Sequence, residues 1–314
     1  MHMTVFDLWL QQLINGLSLG AMYALLALGF TLVYGILELI NFAHFNIFMI
    51  GSFVAMWVLQ SFGLSGQNVI LTGLPLVGVL LAALIASMLF AGVLGAAMER
   101  YALRPLRGIT GPAAMITTIG ISYILFNIVV LGIGADSKNF PNPLPPMKWH
   151  LGGPNGAVLE LRQVLIWAVS IVLMGGLWVF VQRSRMGKAM RATAQDPEAA
   201  RMMGVEVDKV ILIAFFAGSA LAGAGGMIFG LYYNFTSFII GFTAGLRAFT
   251  AAVLGGIGNV PGAMVGGVLI GLIEAFGGQL IGASWADVII FSILVLVLVF
   301  KPTGLLGRLA PTKS

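Results

Sequence analysis

The sequence predicts an all-α fold, a polytopic helical bundle of about eight to ten membrane segments that includes broken or re-entrant helices. Three observations carry this. The chain has 314 residues, of which 59% are hydrophobic and 9% charged. Counting apolar residues with glycine gives roughly 70%, against about 45–50% in globular domains. A mean hydropathy of +1.02 agrees. So few charges cannot cover a soluble core of this size, which excludes a soluble enzyme, a disordered chain and a nucleic-acid binder. Finally, the net charge of +5 is not spread evenly. Three Lys and Arg lie in 99–108, six in 183–209 and three after residue 300, in short segments between or after apolar runs. That is the pattern of loops kept on the cytoplasmic side.

Taken in order, the charge-free runs are 8–37, 39–98, 108–135, 163–182, 210–246, 248–273 and 288–300. A span needs roughly 20 apolar residues. Met1-His2-Met3 carries no basic leader and no small-residue cleavage pattern follows, so the first helix is expected to be retained. The run 39–98 is too long for one span, and Ser61-Phe62-Gly63-Leu64-Ser65-Gly66-Gln67-Asn68 supplies a turn within it. With 99–108 and 183–209 on the cytoplasmic side, 109–182 crosses twice and leaves 135–161 outside. That loop holds Pro141, Pro143, Pro145, Pro146 and Pro154, with Lys138, Lys148, Trp149 and Gly152-Gly153, and is expected to be ordered. For 210–300 we expect three crossings, at about 210–233, 243–270 and 284–300, with part of 235–282 broken or re-entrant. All of 1–314 then forms one transmembrane domain.

Glycine is concentrated in 216–282, which holds 17 of the 42. The spacings Gly226-x3-Gly230, Gly241-x3-Gly245, Gly258-x3-Gly262 and Gly262-x3-Gly266 allow helices to approach closely. The run from Leu254 through Gly255-Gly256-Ile257-Gly258-Asn259-Val260-Pro261-Gly262 is a poor helix in any setting. Irregular backbone at membrane depth is tolerated only inside protein or beside a water-filled cavity.

Ionisable or polar groups inside apolar runs cost enough to need a reason. The stretch 38–46 is read as a polar break: Asn41, His44 and Asn46 are expected to line a route, with Glu38 at the end of the preceding run snorkelling to the surface, and the alternative for the histidine is a bond to a backbone carbonyl. On a continuous helix, positions 38, 41 and 45 share a face. Arg247 and Glu274 interrupt neighbouring apolar runs and are expected to neutralise each other, shaping the electrostatics of a nearby route. Glu99-Arg100 and Arg183 to Lys188 sit at span ends, where head-group contacts account for them. There is no cysteine, and no metal-ligating cluster or cofactor site of the chain's own is expected.

Within the cytoplasmic loop, Asp196 is a good N-cap, Pro197 suits the first helical position, Glu198 complements the helix dipole and Gly204 stops the helix. Two turns are too short to stand alone. The helix packs either on its own chain or into a cleft of a partner. In the latter case Ala199 and Ala200 permit close approach and Met202 and Met203 adapt to the groove.

These residues carry a resemblance. Glu198-Ala199-Ala200-x3-Gly204 is similar to the coupling-loop signature of bacterial ABC importer permeases, though without its later hydrophobic-Pro half. Asn15-Gly16 with Tyr23-Ala24-Leu25, Ile40-Asn41-Phe42-Ala43-His44, Ser184-Arg185-Met186-Gly187, the run from Ala248 to Gly258, Pro261-Gly262-Ala263 and Pro302-Thr303-Gly304 resemble the high-affinity branched-chain amino-acid permeases of the LivH type. The resemblance covers about residues 11–308. It implies a bacterial inner-membrane permease that forms half of an import route. Implied partners are a second, LivM-type permease subunit, two ATP-binding subunits that use ATP with magnesium, an extracytoplasmic solute-binding protein and a small-molecule solute. The loop 135–161 is the candidate surface for the binding protein, and 183–209 the coupling loop. The chain departs from the family at Phe45 and Asn46, where a glycine and an acidic residue are usual. The preferred solute is therefore open among hydrophobic amino acids, amides and small organic acids.

Two other readings exist. Gly16-Leu17-Ser18-Leu19-Gly20 matches the Gly-x-Ser-x-Gly of serine hydrolases, with His44 or His150 as a base, but that motif needs a strand-to-helix elbow and 8–37 is expected to be continuous helix. A stand-alone ion-coupled transporter or channel would need no docking helix. The sequence has no Gly-x4-Gly-Lys-Ser/Thr loop, so ATP energy has to come from a separate chain.

Overall fold

A computed structural model describes residues 4–64, 70–107, 112–153 and 156–307. Met1-His2-Met3, Ser65 to Asn68 of the expected turn, and Pro154 lie outside the described residues.

The first helix, α1 (Val5–Leu37), starts at a reciprocal cap: the Asp7 N–H donates to Thr4 Oγ1, and the Thr4 N–H to the Asp7 carboxylate, both at 3.2 Å. It is apolar all round and buried on nearly every side from Gly16 to Val33, as a helix at the centre of a bundle must be. After α2 (Ala43–Ser61) come α3 (Gly73–Met98), which continues into a π-helical turn at Glu99–Leu103, and α4 (Ala113–Ile133). Then follow α5 (Leu161–Arg183), α6 (Arg185–Gln195), α7 (Pro197–Met202), α8 (Val207–Tyr233), α9 (Ile240–Gly255), α10 (Val260–Leu280) and α11 (Ala286–Phe300). Among the described residues, eight helices are long and apolar enough to cross a membrane, α11 when counted with the 3-10 turn Ala283–Trp285 that leads into it, and α9 is a shorter apolar ninth.

Two ends can be told apart. Arg107, after α3, pairs with Asp208 at the start of α8, so the two basic loops meet at one end. At the other, β1 (Lys138–Asn139) pairs antiparallel with β4 (Phe235–Thr236), and β2 (Lys148–Leu151) with β3 (Ala157–Glu160). The loop 135–161, expected to be ordered, is thus tied down by short strands, for which its proline-rich sequence gives no alternating pattern. The Val158 N–H donates to Gln11 Oε1 at 2.7 Å, which places the start of α1 at this loop end.

The expectation of three crossings in 210–300 is overturned. The chain reverses at 256–259, so 243–270 is two elements, α9 and α10, and four helices run between 207 and 300. A segment that begins and ends at the same end must cross an even number of times, and three could not have closed. The signals of the reversal are local: Gly256 and Gly258 have φ of 107° and 87°, and Asn259 caps α10 by accepting from the Gly262 N–H. Its 16 residues make α9 about 24 Å long, short of the ~30 Å hydrocarbon core.

Close helix approach holds the centre together. α1 and α10 run antiparallel, Gly16 against Leu272 and Gly20 against Val268. A Cβ on Gly20 would lie 2.7 Å from the Val268 Cα, so only glycine permits this spacing. α2 lies on α8 in the same way, Gly51 against Gly223.

Candidate functional site

The stretch after α1 is a break in the helix, so 38, 41 and 45 share no helical face. Glu38 ends α1 in the left-handed region at φ 52°, and 39–42 run without helix until α2 begins at Ala43. Glu38 is exposed, as its snorkelling reading requires. The chain then turns back into the bundle: His44 lies against Leu26 and Gly29 of α1, about 12 Å short of that helix's end. α4 braces the break, since Thr118 Oγ1 accepts from the Phe42 N–H at 3.2 Å.

Asn41, His44 and Asn46 are all buried here. Asn41 Oδ1 accepts from the Ala43 N–H at 3.1 Å, His44 Nε2 meets the Leu26 carbonyl at 3.3 Å, and Asn46 Nδ2 donates to the Ser122 carbonyl at 2.8 Å. Each keeps one polar atom without a partner among the described residues: Asn41 Nδ2, His44 Nδ1 and Asn46 Oδ1. A buried polar atom left unpaired costs about 1–3 kcal/mol, and three within six residues is an unusual concentration. The Leu26 carbonyl satisfies only one ring nitrogen of His44. Phe45 stacks on Phe30 with ring centroids 6.0 Å apart and fills the space over Gly245.

Arg247 and Glu274 do pair, at 2.5 Å between Nη1 and Oε1. Two partners were missed. The Tyr23 hydroxyl donates to Glu274 Oε2 at 2.7 Å and accepts from Arg247 at 3.0 Å, and Arg247 also reaches Asp287 at 2.8 Å. One cluster therefore joins α1, α9, α10 and α11. A tyrosine in an apolar helix gives no sequence signal of such a role, and Asp287 looks like an ordinary first-turn acid.

At the basic end, α7 is built as its residues predict. Asp196 Oδ1 accepts from the Glu198 and Ala199 N–H groups at 2.9 and 3.0 Å, Pro197 is the first helical residue, and Gly204 has φ 83°. Ala200 is buried against its own chain, whereas Ala199, Met202 and Met203 face out, the two methionines 87% and 84% exposed. Ala200 thus holds the helix and does not offer a docking surface. Ahead of α7, Arg183 to Lys188, expected only to contact head groups, instead lead into a helix, α6. Ser184 caps it by accepting from the Gly187 N–H at 2.8 Å, and Met190 and Thr193 turn inward. Behind α7 runs a chain of ion pairs: Arg201 to Asp208 at 3.9 Å, Asp208 to Arg107 at 2.5 Å, and Arg107 to Glu99.

The geometry rules out the hydrolase reading. Ser18 lies in unbroken helix, donating to the Ile14 carbonyl at 2.9 Å and accepting from Trp167 Nε1 at 3.0 Å. His44 sits farther along α1, at Leu26, and His150 is exposed on β2.

A family model described as branched-chain amino acid transport system / permease component matches residues 12–298. The chain is 43% identical over 301 residues to BraD of Pseudomonas aeruginosa, a high-affinity branched-chain amino acid transport system permease protein, covering 96% of each chain. It is 41% identical over 305 residues to LivH of Escherichia coli K12, covering 96% of this chain and 97% of that one. Identity to LivH of Salmonella typhimurium is 40% over 305 residues, with the same coverage. No solved structure matches the chain.

Proposed function

This chain belongs to the family of branched-chain amino acid transport system permease components, and we propose that it forms half of an ATP-driven import route for hydrophobic amino acids. It is a multi-pass protein of the cytoplasmic membrane and the permease, not the catalytic, component of its system. In this reading a second permease subunit completes the route, two separate ATP-binding subunits dock at the basic end, and a solute-binding protein delivers to the strand-tied loop 135–161. The positive-inside bias of the basic loops supports that orientation.

The observation that carries the proposal is α7, a capped two-turn helix anchored by Ala200, with Met202 and Met203 turned away from the bundle. Polarizable, flexible methionines suit a groove that moves during a catalytic cycle. A push on α7 reaches α8 directly through the Val205 N–H, which donates to the Ala200 carbonyl at 3.0 Å, and α3 through the Arg201–Asp208–Arg107–Glu99 chain. α8 in turn packs along α2, at whose head Asn41, His44 and Asn46 lie. We assign these three to the route's inner lining or its gate, with Arg247 and Glu274 setting the charge beside it. Phe45, in place of the family's glycine, narrows that break and favours apolar solutes.

The test is copurification. With Met202→Glu and Met203→Glu together, the ATP-binding subunit should no longer copurify and uptake of leucine, isoleucine or valine should fall at least tenfold, while the permease still inserts. Retained copurification and uptake in that variant would overturn the assignment of α7. Ala200 is unsuitable for this purpose, since a large residue there would unseat the helix itself.

A further inference from the structure

The helices at the periphery of the bundle show what this protein presents to lipid. α3 turns Leu81, Ile85, Leu89 and Val93 outward and keeps Ser87 buried; α5 turns out Ile171, Val172 and Val179 and buries Ser170. α11 exposes a single hydroxyl, Ser292, which a helix can satisfy on its own carbonyls.

α4 is the exception. Thr118, Leu125 and Val129 mark its buried side. The stripe directly opposite, at three- and four-residue spacing, is Ile116, Gly120, Tyr123 and Asn127, all exposed. Tyr123 lies at the middle of the span and is 66% exposed. Tyrosines that face lipid gather near the membrane–water boundary, where the hydroxyl stays wet, and a mid-span primary amide is costlier still. Asn127 spends one amide hydrogen on the Tyr123 carbonyl at 2.8 Å. Its Oδ1 has no hydrogen bond among the described residues. The polarity also continues inward: Ser122, next to Tyr123, holds Asn46 with its carbonyl and its hydroxyl, at 2.8 and 2.6 Å, and Thr118 holds the 38–42 break. Asn41, His44 and Asn46, assigned above to the lining or gate, are themselves buried, so the part of the passage open to water runs along an outer face.

We propose that the Ile116–Gly120–Tyr123–Asn127 face of α4 lines the solute route, with the Tyr123 hydroxyl and the Asn127 amide meeting the ammonium and carboxylate of a zwitterionic amino acid. Uncharged donors and acceptors lower the cost of stripping water from both charged groups without trapping either. Ile116 offers the solute's hydrocarbon side chain a neighbour, and Gly120 leaves it room. This assignment rests on the transport reading above and names where in the chain the solute passes.

The absence of cysteine makes the test direct. Single-cysteine variants are assembled with the second permease subunit, the ATP-binding subunits and the binding protein in liposomes, and treated with a membrane-impermeant, charged thiosulfonate. Tyr123→Cys and Asn127→Cys should react at least tenfold faster than Val172→Cys on α5 and Val295→Cys on α11, and a transported amino acid with ATP should slow them. If either fails to assemble, Gly120→Cys on the same stripe carries the same expectation. Rates equal to those of the α5 and α11 variants would overturn the proposal, leaving α4 against lipid. Constant protection, with cross-linking to the second membrane subunit, would overturn it in favour of a closed protein interface. Uptake by the unlabelled variants separates this from the parent reading: silent cysteines in a working transporter sink only the α4 assignment, whereas a complex that never forms sinks the transport reading.

Discussion

An ionic cluster around Arg247 within the bundle and another around Glu99 at the basic end differ in how they are connected. The Arg247 cluster is closed as a network, each member bonded to another helix's, although Asp287 at its edge is 57% exposed against 19% for Arg247 and 12% for Glu274. Arg247, Glu274, Tyr23 and Asp287 come from four different helices and satisfy one another, so the cluster fixes α1, α9, α10 and α11 as a unit. The Glu99 cluster is open at one side. Its side chains grade outward, from Glu99 at 0% exposure through Arg107 at 20% and Asp208 at 53% to Arg201 at 60% on α7. One arrangement resists motion between helices, and the other passes displacement from an exposed helix to a buried carboxylate. Burial lowers the proton affinity of the Arg107 guanidinium, and Glu99 and Asp208 raise it again, so this link is held by its partners rather than by solvent.

The sharpest way to break the comparison is to open the closed cluster. Arg247→Met leaves Glu274 with only the Tyr23 hydroxyl and should destabilise the permease by about 3–5 kcal/mol, because an uncompensated buried charge remains. Thermal unfolding in detergent measures this. The double variant Arg247→Met with Glu274→Met should recover most of the loss, since removing both charges also removes the cost of burying them. Equal stability of single and double variants would mean that the cluster does not act as a unit.

Glu99→Gln acts on the open cluster and should separate stability from coupling. It leaves two guanidiniums near a neutral amide, a loss of about 1.5–3 kcal/mol for charge-assisted hydrogen bonds. The ATP-binding subunit should still copurify, because α7 is untouched, but uptake per ATP hydrolysed should drop several-fold. A variant with normal uptake per ATP would deny the chain of ion pairs any part in transmission.

Much of this was legible in the sequence, for physical reasons that differ by region. The caps of α7 act within four residues, so Asp196, Pro197 and Gly204 announced the helix unaided. Opposite charges in neighbouring apolar runs announced Arg247 and Glu274, since each alone is too costly to bury. The break at 38–42 was legible in its polar residues but not in its bounds: Leu39 and Ile40 continue the apolar pattern, no glycine or proline intervenes, and the turn is held by hydrogen bonds to α4 and α1. The reversal at 256–259 carried its signal in Gly256, Gly258, Asn259 and Pro261. It was counted inside one span because hydropathy does not register direction. α6 was hidden by its own charges, although Ser184 and the 3.6-residue recurrence of Met186, Met190 and Thr193 marked both its start and its inner face.

The smallest expected effect lies at the exposed side of the open cluster. Asp208→Asn removes a half-exposed carboxylate shared by Arg107 and Arg201, and solvent screening limits the loss of stability to less than about 1 kcal/mol. Raising the salt concentration should erode the wild-type contribution toward that of the variant, since pairs this exposed are screened, while in the Arg247 cluster only the link to the half-exposed Asp287 should weaken and the Arg247–Glu274 pair should change little. The two clusters are thereby separated: unfolding temperatures of wild type and Asp208→Asn should converge in high salt, and those of wild type and Arg247→Met should stay apart. Convergence of both pairs would place Arg247 in contact with solvent ions and make the clusters alike.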